Sequence, residues 1–269
     1  MRHGGQGDTV RGREASRAAQ AAGYEGLTAA EWAERLRVPQ VALYDAVPST
    51  MDVAHAVAAD GGPAGTLVIA DRQTAGRGRG GNVWRSPAGS GLWLTLIERP
   101  TDGAAIAVLA LRVALGVARA LRPFAATPVG VKWPNDVYAG TGKVAGILAE
   151  ARWQDQQPLW VAIGLGINLE PPAEIATAAG LRAGTERGDV LAAVVPYMRA
   201  AAAGRGPLSD SEMAALAASD IGRGRRCRAP VPGRVLGITA AGELLVATSG
   251  GLETCRSGSL VFDDIPEGG

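Results

Sequence analysis

The feature that most constrains the fold is a series of strand-like segments in the middle of the chain that are separated by turns instead of helices. Three of them are Val129–Trp133, Val144–Trp153 and Leu159–Leu169. Strands joined by short turns pair antiparallel, whereas parallel neighbours need a long crossover. Two earlier apolar runs, Thr66–Gln73 and Gly91–Glu98, are predicted to be further strands. The sequence therefore predicts an α+β fold with a mixed sheet and helices packed on one face.

Helix signals flank these strands. Thr28 and Glu31 have the form of a capping box before a short helix, and Ser49 can cap a second helix that ends near Gly61. The Ala-rich stretch Ala104–Leu121 is interrupted by arginine, so we expect a buried helix there and not a membrane span. Two more helices are predicted at 188–202 and 209–220.

The chain divides into three predicted parts. Residues 1–40 are expected to be a partly disordered tail with one short helix, and residues 41–220 form the main domain. From 221 to 265, short strand-like pieces alternate with Gly-containing turns, which is typical of a small β-barrel. No secretory signal or membrane-spanning run is visible, so a cytoplasmic location is expected.

Composition excludes several classes of function. The net charge is only +1, whereas proteins that mainly grip nucleic acid usually carry a larger basic surplus. The two cysteines, Cys227 and Cys255, fit neither a zinc site nor a disulfide framework and are expected to be reduced thiols. With His3 and His55 as the only histidines, no side-chain cluster for zinc or for a hydrolytic triad is expected.

A glycine-rich basic loop, Gly76–Gly81, follows a predicted buried strand. Glycine lets the backbone approach a ligand closely, and arginine offers a fork of donors suited to carboxylate and phosphate. The loop therefore indicates a flexible lid over an anionic ligand, and Trp84 and Trp93 nearby could seal it from water. The alternatives are a solvated surface loop and an RGG-like nucleic-acid segment.

Two lysine-containing motifs follow. In KWPND, Lys132–Asp136, a strand stops at proline and presents two polar side chains, Asn135 and Asp136, at its end. Strand ends are common ligand sites, although Pro-Asn-Asp also suits a simple turn. Lys143 precedes an apolar run, where it could stabilise charge on a phosphate; the alternative is an ordinary exposed lysine.

Glycines alternate along one face of the last central strand. Gly164 and Gly166 remove the side chains from that face, and Asn168 stands at the end of the strand. Such a face offers a flat trough for a planar ring. The alternative is a strand packed closely against a helix.

These motifs occur together and in order: Ser49-Thr50, Gln73 before AGRGRGG, KWPND, KVAGIL eleven positions after Lys132, and GLGIN at 164–168. Over about residues 44–265 the sequence resembles biotin protein ligases, in the form without the N-terminal DNA-binding domain. The resemblance implies a class II synthetase-like mixed sheet as a catalytic biotin- and ATP-binding domain, and an SH3-like barrel at 221–265.

The resemblance also implies residue roles. Biotin would be bound by the following residues: Ser49, Thr50, Met51, Gln73, Gly76, Arg77, Gly78, Arg79, Lys143, Gly164 and Gly166. ATP and the adenylate would be bound by Arg77, Arg79, Trp84, Lys132, Asn135, Asp136 and Asn168. The catalytic residues would be Lys143, Arg79 and Asp136, with Mg²⁺ accompanying ATP near Asp136.

The activity implied is ATP-dependent formation of biotinyl-5′-AMP and transfer of biotin to a lysine of a biotin carboxyl carrier protein. A closed loop would protect the mixed anhydride from water. No role on DNA or in a membrane is expected, and a homodimer is left open.

Two residues depart from the usual pattern of the family. Met51 stands where many relatives carry Asn, and Asn82 stands where many carry Arg, which bears on how well the adenylate is retained. The alternatives are a lipoate or octanoyl ligase or transferase of the same fold, and a non-catalytic biotin-responsive repressor.

Overall fold

A computed structural model describes residues 19–100 and 102–263. Its main sheet has seven strands: β1 Val41–Val47, β2 Thr66–Gln73, β3 Gly91–Glu98, β4 Val129–Lys132, β5 Asp136–Ala139, β6 Gly142–Gln154 and β7 Gln157–Asn168. Their spatial order is β1-β2-β3-β7-β6-β5-β4. The pair β1–β2 is parallel and the other neighbours are antiparallel, so the predicted mixed sheet is confirmed.

The helices are α1 Ala29–Leu36, α2 Thr50–Ala59, α3 Gly103–Ala107, α4 Leu109–Leu121, α5 Arg187–Ala202 and α6 Asp210–Ser219. Thr28 and Glu31 form the predicted capping box, and the Ser49 hydroxyl accepts a hydrogen bond from the Met51 amide. The stretch predicted as one helix at Ala104–Leu121 is divided at Val108, whose backbone leaves the helical conformation.

Side-chain alternation gives the sheet two different faces. On the first face, residues such as Leu67 and Ile69 of β2 form the larger core with α1, α4 and α5. On the second face, Val68 and Ala70 of the same strand pack against Val53 of α2. The prediction that the helices share one face is therefore wrong for α2, because β2 is apolar on both faces and α2 covers the second one.

The residues before α1 pack on the protein. Ala21 donates its amide to the carbonyl of Leu43 in β1, and Tyr24 is only 6% exposed. The predicted tail therefore does not extend over residues 19–26, because burial of the Tyr24 ring stabilises this segment against the rest of the protein. Residues 1–18, also predicted as tail, lie outside the described residues.

A smaller sheet follows α6, with strands β8 Arg226–Ala229, β9 Gly233–Ile238, β10 Leu244–Thr248, β11 Gly251–Cys255 and β12 Val261–Phe262 in the order β11-β10-β9-β8-β12. It is joined to the end of β4, where the Ile221 amide donates to the Val131 carbonyl and the Trp133 indole donates to the Gly242 carbonyl. The SH3-like closure of this sheet stays a prediction. Both cysteines are free.

Candidate functional site

The candidate site lies on the second face of the main sheet, between α2 and the glycine-rich loop. It consists of two adjoining pockets. The inner pocket, about 470 Å³, is lined on the sheet side by Thr95, Leu148 and Gly164. The outer pocket, about 860 Å³, lies on the far side of Trp84 and reaches Asn168.

Neutral polar side chains at the closed end of the inner pocket hydrogen-bond to one another. Gln73 Oε1 accepts from the Thr50 amide at 2.8 Å and from the Thr50 hydroxyl at 3.1 Å. Thr95 donates to the Thr50 hydroxyl at 2.9 Å, and Gln73 Nε2 donates to the Ser86 hydroxyl at 2.8 Å. Ser49 lines the same end as the N-cap of α2. This network holds the side chains in place for an uncharged, hydrogen-bonding ring.

The predicted glycine trough exists, but side chains of the protein occupy part of it. Gly146 of β6 lies directly opposite Gly166 of β7, and a Cβ on Gly166 would lie 2.3 Å from the Trp84 indole nitrogen. A Cβ on Gly164 would lie 2.8 Å from the Met51 methyl group. The glycines therefore make room for the Trp84 indole and the Met51 thioether, which become walls of the pocket.

The Trp84 indole separates the two pockets. Its ring lies edge-on to Trp93, with ring centroids 6.5 Å apart and planes at 69°. Its buried N–H has no hydrogen-bond partner among the residues that the structure describes. Buried polar groups are normally paired, so a ligand at this wall would gain a ready donor.

Hydrogen bonds close the base of the glycine-rich loop. Trp84 donates its amide to the Gly76 carbonyl at 2.9 Å, and Gly78 donates to the Asn82 carbonyl at 2.7 Å. A Cβ on Gly76 would lie 2.4 Å from the Trp84 carbonyl oxygen, so this residue must be glycine. At the tip, Gly80 and Gly81 have φ of 65° and 84°, a conformation that favours glycine.

The two loop arginines have different partners. Arg77 Nη2 lies 2.9 Å from Asp52 Oδ1, and Arg77 Nη1 lies 3.2 Å from Glu150 Oε1. Arg79 Nη1 instead donates to the Asn135 side-chain oxygen and to the Gly258 carbonyl, both at 3.3 Å. Arg79 therefore has neutral acceptors where Arg77 has two carboxylates.

The KWPND turn and Lys143 meet at the boundary of the pockets. Lys143 Nζ lies 2.7 Å from Asp136 Oδ1 and 5.0 Å from the centre of the Trp84 ring. The Asn135 amide donates to the Ile147 carbonyl at 2.7 Å, which fixes the turn against β6. Lys143, Arg79 and Asn135 line both pockets, and Asp136 lines the outer one.

Two of the predicted site residues, Gly76 and Lys132, line neither pocket. Gly76 forms the base of the glycine-rich loop, whereas Lys132 ends β4. Its ammonium group donates to the Tyr138 hydroxyl at 3.1 Å and lies 5.5 Å from the centre of the Phe262 ring. Burial lowers the pKa of Lys132 and raises that of Tyr138 to about 12. Lys132 thus lies at the junction with the small sheet, and its contact with ATP stays a prediction.

Several site residues were not predicted from the sequence. Thr95, Gly146, Leu148 and Glu150 face the inner pocket or its loop. Gly146, Leu148 and Glu150 share a face of β6 because they are spaced by two residues, so strand periodicity was the available signal. The outer pocket adds Arg85, Pro172, Ile175, Thr177, Ala178 and Ser259.

Among the described residues, no group of three or more His, Cys, Asp and Glu side chains could hold a metal ion. Asp136 is the acidic residue that lines the outer pocket. Mg²⁺ is usually held by one or two carboxylates together with substrate phosphates, so a single carboxylate fits that ion when it arrives with a nucleotide. In the part of the chain described, no helix has the length and apolarity to cross a membrane.

Residues 43–168 match the sequence model of the Biotin/lipoate A/B protein ligase family. The bifunctional ligase/repressor BirA of Bacillus spizizenii is 39% identical over 131 residues, which are 48% of this chain and 40% of that protein. The biotin--[acetyl-CoA-carboxylase] ligase of Mycobacterium tuberculosis is 41% identical over 117 residues, 41% of this chain and 42% of that protein. The chain thus matches less than half of the length of these curated relatives.

Among solved structures, a biotin protein ligase from Aquifex aeolicus in complex with biotin and ATP matches with a TM-score of 0.67 and 26% identity, over 82% of this chain and 97% of that one. A biotin protein ligase from Leishmania major in complex with biotin matches with a TM-score of 0.60 and 22% identity, over 82% and 99%. Residues 43–168 are thus similar to the biotin and lipoate ligase family, and the fold is that of solved biotin protein ligases. The class II synthetase-like fold expected from the resemblance is confirmed.

Proposed function

We propose that the chain activates biotin with ATP to biotinyl-5′-AMP and transfers biotin to a lysine of a biotin carboxyl carrier protein. The observation that carries this proposal is the sharing of Lys143 and Arg79 by both pockets. The closed end of the inner pocket, with its neutral hydrogen-bonding side chains, suits the ureido ring, and the open, cationic outer pocket suits a nucleotide. The cations between them lie where a carboxylate and an α-phosphate would have to meet.

The chemistry takes two steps. A carboxylate oxygen of biotin attacks the α-phosphorus of ATP, and pyrophosphate leaves. The amine of the carrier lysine then attacks the carbonyl carbon of the mixed anhydride, AMP leaves, and the amine loses its proton. Lys143 and Arg79 would stabilise the negative charge on the phosphate oxygens in both steps. Asp136 would hold Mg²⁺, which when bound neutralises phosphate charge.

The test is biotin-dependent release of pyrophosphate from ATP, measured with and without a carrier domain. We expect release with biotin alone and a biotinylated carrier when the carrier is added. Lipoate or octanoate provides the comparison, because the family model also covers lipoate ligases. Activation of lipoate in preference to biotin would overturn the proposal. The cytoplasmic location, the homodimer and the lack of a DNA-binding role stay predictions.

A further inference from the structure

The glycine-rich loop is fastened at Arg77 to two separate elements of the fold. Asp52 lies in the first turn of α2 and Glu150 lies on β6, and both contact the Arg77 guanidinium. The Arg77 side chain is 35% exposed, and each of the two acidic side chains is 24% exposed. Ion pairs that are partly shielded from water and shared by two acids hold a side chain more firmly than one exposed pair.

A second layer of hydrogen bonds orients Glu150. His55 Nε2 lies 2.9 Å from Glu150 Oε2, and the Trp160 indole donates to His55 Nδ1 at 3.0 Å. Because an indole N–H can only donate, Nδ1 is the acceptor, and Nε2 carries the ring proton that reaches Glu150. The hydrogen bond from His55 and the charge of Arg77 hold the pKa of Glu150 below its usual value despite burial. Glu150 is thus a carboxylate with a fixed orientation.

The charges around Arg77 make it a poor partner for another anion. Asp52 and Glu150 contribute two negative charges against the one positive charge of Arg77, which leaves a formal charge of −1 at this end of the loop. Both terminal nitrogens of Arg77 are held by acids, so an incoming carboxylate or phosphate could reach only Nε, which has no partner among the described residues, unless it displaced an acid. Among the described residues no carboxylate contacts Arg79, so Arg79 can accept an anion without such an exchange.

We propose that Arg77 is the anchor of the loop and not a ligand of the anion, and that Asp52 and Glu150 are positioning residues for the reaction. They hold the base of the loop against α2 and β6, so that the backbone of Gly76–Gly78 and the side chain of Arg79 start near their binding positions. This inference rests on the proposed function for the identity of the ligand, but not for the anchoring itself.

The anchoring is tested in the free protein by hydrogen exchange of the amides of residues 76–83. Glu150→Gln keeps the size of the side chain and removes its charge, and Asp52→Asn tests the same anchor from the other element. We expect roughly tenfold faster exchange in the loop for each variant, the scale of losing one charge-assisted hydrogen bond. Exchange rates in the loop equal to those of the unmodified protein in both variants would overturn the proposal.

The matched control is Glu98→Gln. Glu98, on β3 of the main sheet, also pairs with an arginine, Arg199 of α5 at 3.3 Å, but lines neither pocket. We expect its loop exchange to be unchanged. Because hydrogen exchange is measured without substrate, it tests the anchoring even if biotin-dependent pyrophosphate release is not observed and the proposed function is wrong.

Biotin binding gives a second readout, in which a rise or a fall of KM for biotin distinguishes an anchoring Arg77 from an anion-binding one. If Arg77 anchors the loop, Glu150→Gln should raise KM for biotin roughly tenfold with kcat little changed, because the loop must then be ordered on binding. If Arg77 itself binds the anion, removing a competing acid should lower KM. Arg77→Ala and Glu150→Ala should also be non-additive, whereas Arg79→Ala should add to Glu150→Gln. A lower KM, or additive effects of Arg77→Ala and Glu150→Ala, would contradict the proposal.

Discussion

The two pockets on the second face of the sheet are adjacent but are built in different ways. The inner pocket is held together by hydrogen bonds among neutral side chains that strands and α2 carry, such as Thr50, Gln73 and Thr95. The outer pocket is lined by loops, including 82–85 and 172–178, and by the charged side chains at its boundary. The rigid, neutral closed end of the inner pocket can select a ring by shape, whereas an open cationic pocket attracts phosphates with little dependence on their orientation.

This difference indicates that substrate selection and the chemical step depend on different parts of the site. Discrimination between ring substrates should reside in the inner pocket, where leaving one buried polar group unpaired is costly. The chemical step should depend on the charges at the boundary, because that is where negative charge develops. Substitutions in the inner pocket should therefore change the affinity for biotin, whereas substitutions of the charged residues at the boundary should change the rate of adenylation.

The largest effect is expected at the boundary between the pockets, from Lys143→Ala. Removing the ammonium group should slow adenylation by about 10²- to 10³-fold, the scale for one preorganised charge contact in a transition state. Lys132→Met is the matched control, because Lys132 lies on the neighbouring hairpin but lines neither pocket. Single-turnover pyrophosphate release measures both. If both variants lose adenylation rate to a similar extent, the effect of Lys143→Ala does not come from its charge at the boundary of the pockets.

The next largest effect is expected from the wall shared by both pockets. Gly166→Ala places a methyl group against the Trp84 indole, since a Cβ there would lie 2.3 Å from its nitrogen. The displaced wall should weaken both biotin and nucleotide binding by about 10- to 100-fold, in line with overpacking costs of about 1–3 kcal/mol. Calorimetric titrations with each ligand measure the two effects.

Gly164→Ala is the control for that wall. Its added methyl would meet the end of the flexible Met51 side chain, which can move at small cost. We expect a smaller loss, confined to biotin. A loss of nucleotide binding in Gly164→Ala, or intact nucleotide binding in Gly166→Ala, would show that Trp84 does not separate the pockets.

Sequence patterns predicted the sheet and most of the site, and they failed where cross-strand register matters. Periodicity of two placed Gly164 and Gly166 on one face, and the motifs marked Lys143 and the loop. That Gly146 lies opposite Gly166 depends on the register of the β6–β7 hairpin, which one sequence does not specify. The face on which a helix packs depends likewise on tertiary contacts, which explains the misplaced α2.

Lys132 shows a different limit of sequence reasoning. The motif KWPND marked it together with Asn135 and Asp136, but a motif does not say which way each side chain turns. The small sheet, which is distant in sequence, places the Phe262 ring beside the Lys132 ammonium group, and this group donates to the Tyr138 hydroxyl. Glu150 shows the opposite limit: it belongs to none of the motifs, and its role follows from its contacts with Arg77 and His55.

A smaller effect, confined to the inner pocket, is expected from Thr95→Val. The substitution keeps the shape and removes the hydroxyl that donates to Thr50. Biotin should bind about 5- to 10-fold more weakly, the scale of one lost hydrogen bond of about 1 kcal/mol, while nucleotide binding stays unchanged. Thr66→Val is the control, because Thr66 is equally buried but donates to the Pro63 carbonyl away from the site. Equal biotin affinities of Thr95→Val and the unmodified chain would argue against a selective inner pocket.

The smallest effect is expected in the outer pocket, from Asn82→Arg. Asn82 lines this pocket at a position where the family resemblance implies an arginine, and a missing cation should weaken the hold on a phosphate. Arg85 lines the same pocket and supplies part of the missing charge, so the chemical step should be unaffected. We therefore expect the unmodified chain to release some biotinyl-AMP, and Asn82→Arg to reduce that leakage by a few-fold, the scale of one exposed charge pair. The measurement is the amount of free biotinyl-AMP in quenched reactions without carrier, after separation from the protein. Equal retention by both forms would show that Arg85 already replaces the absent arginine, and Arg85→Ala should then release the adenylate in the unmodified background.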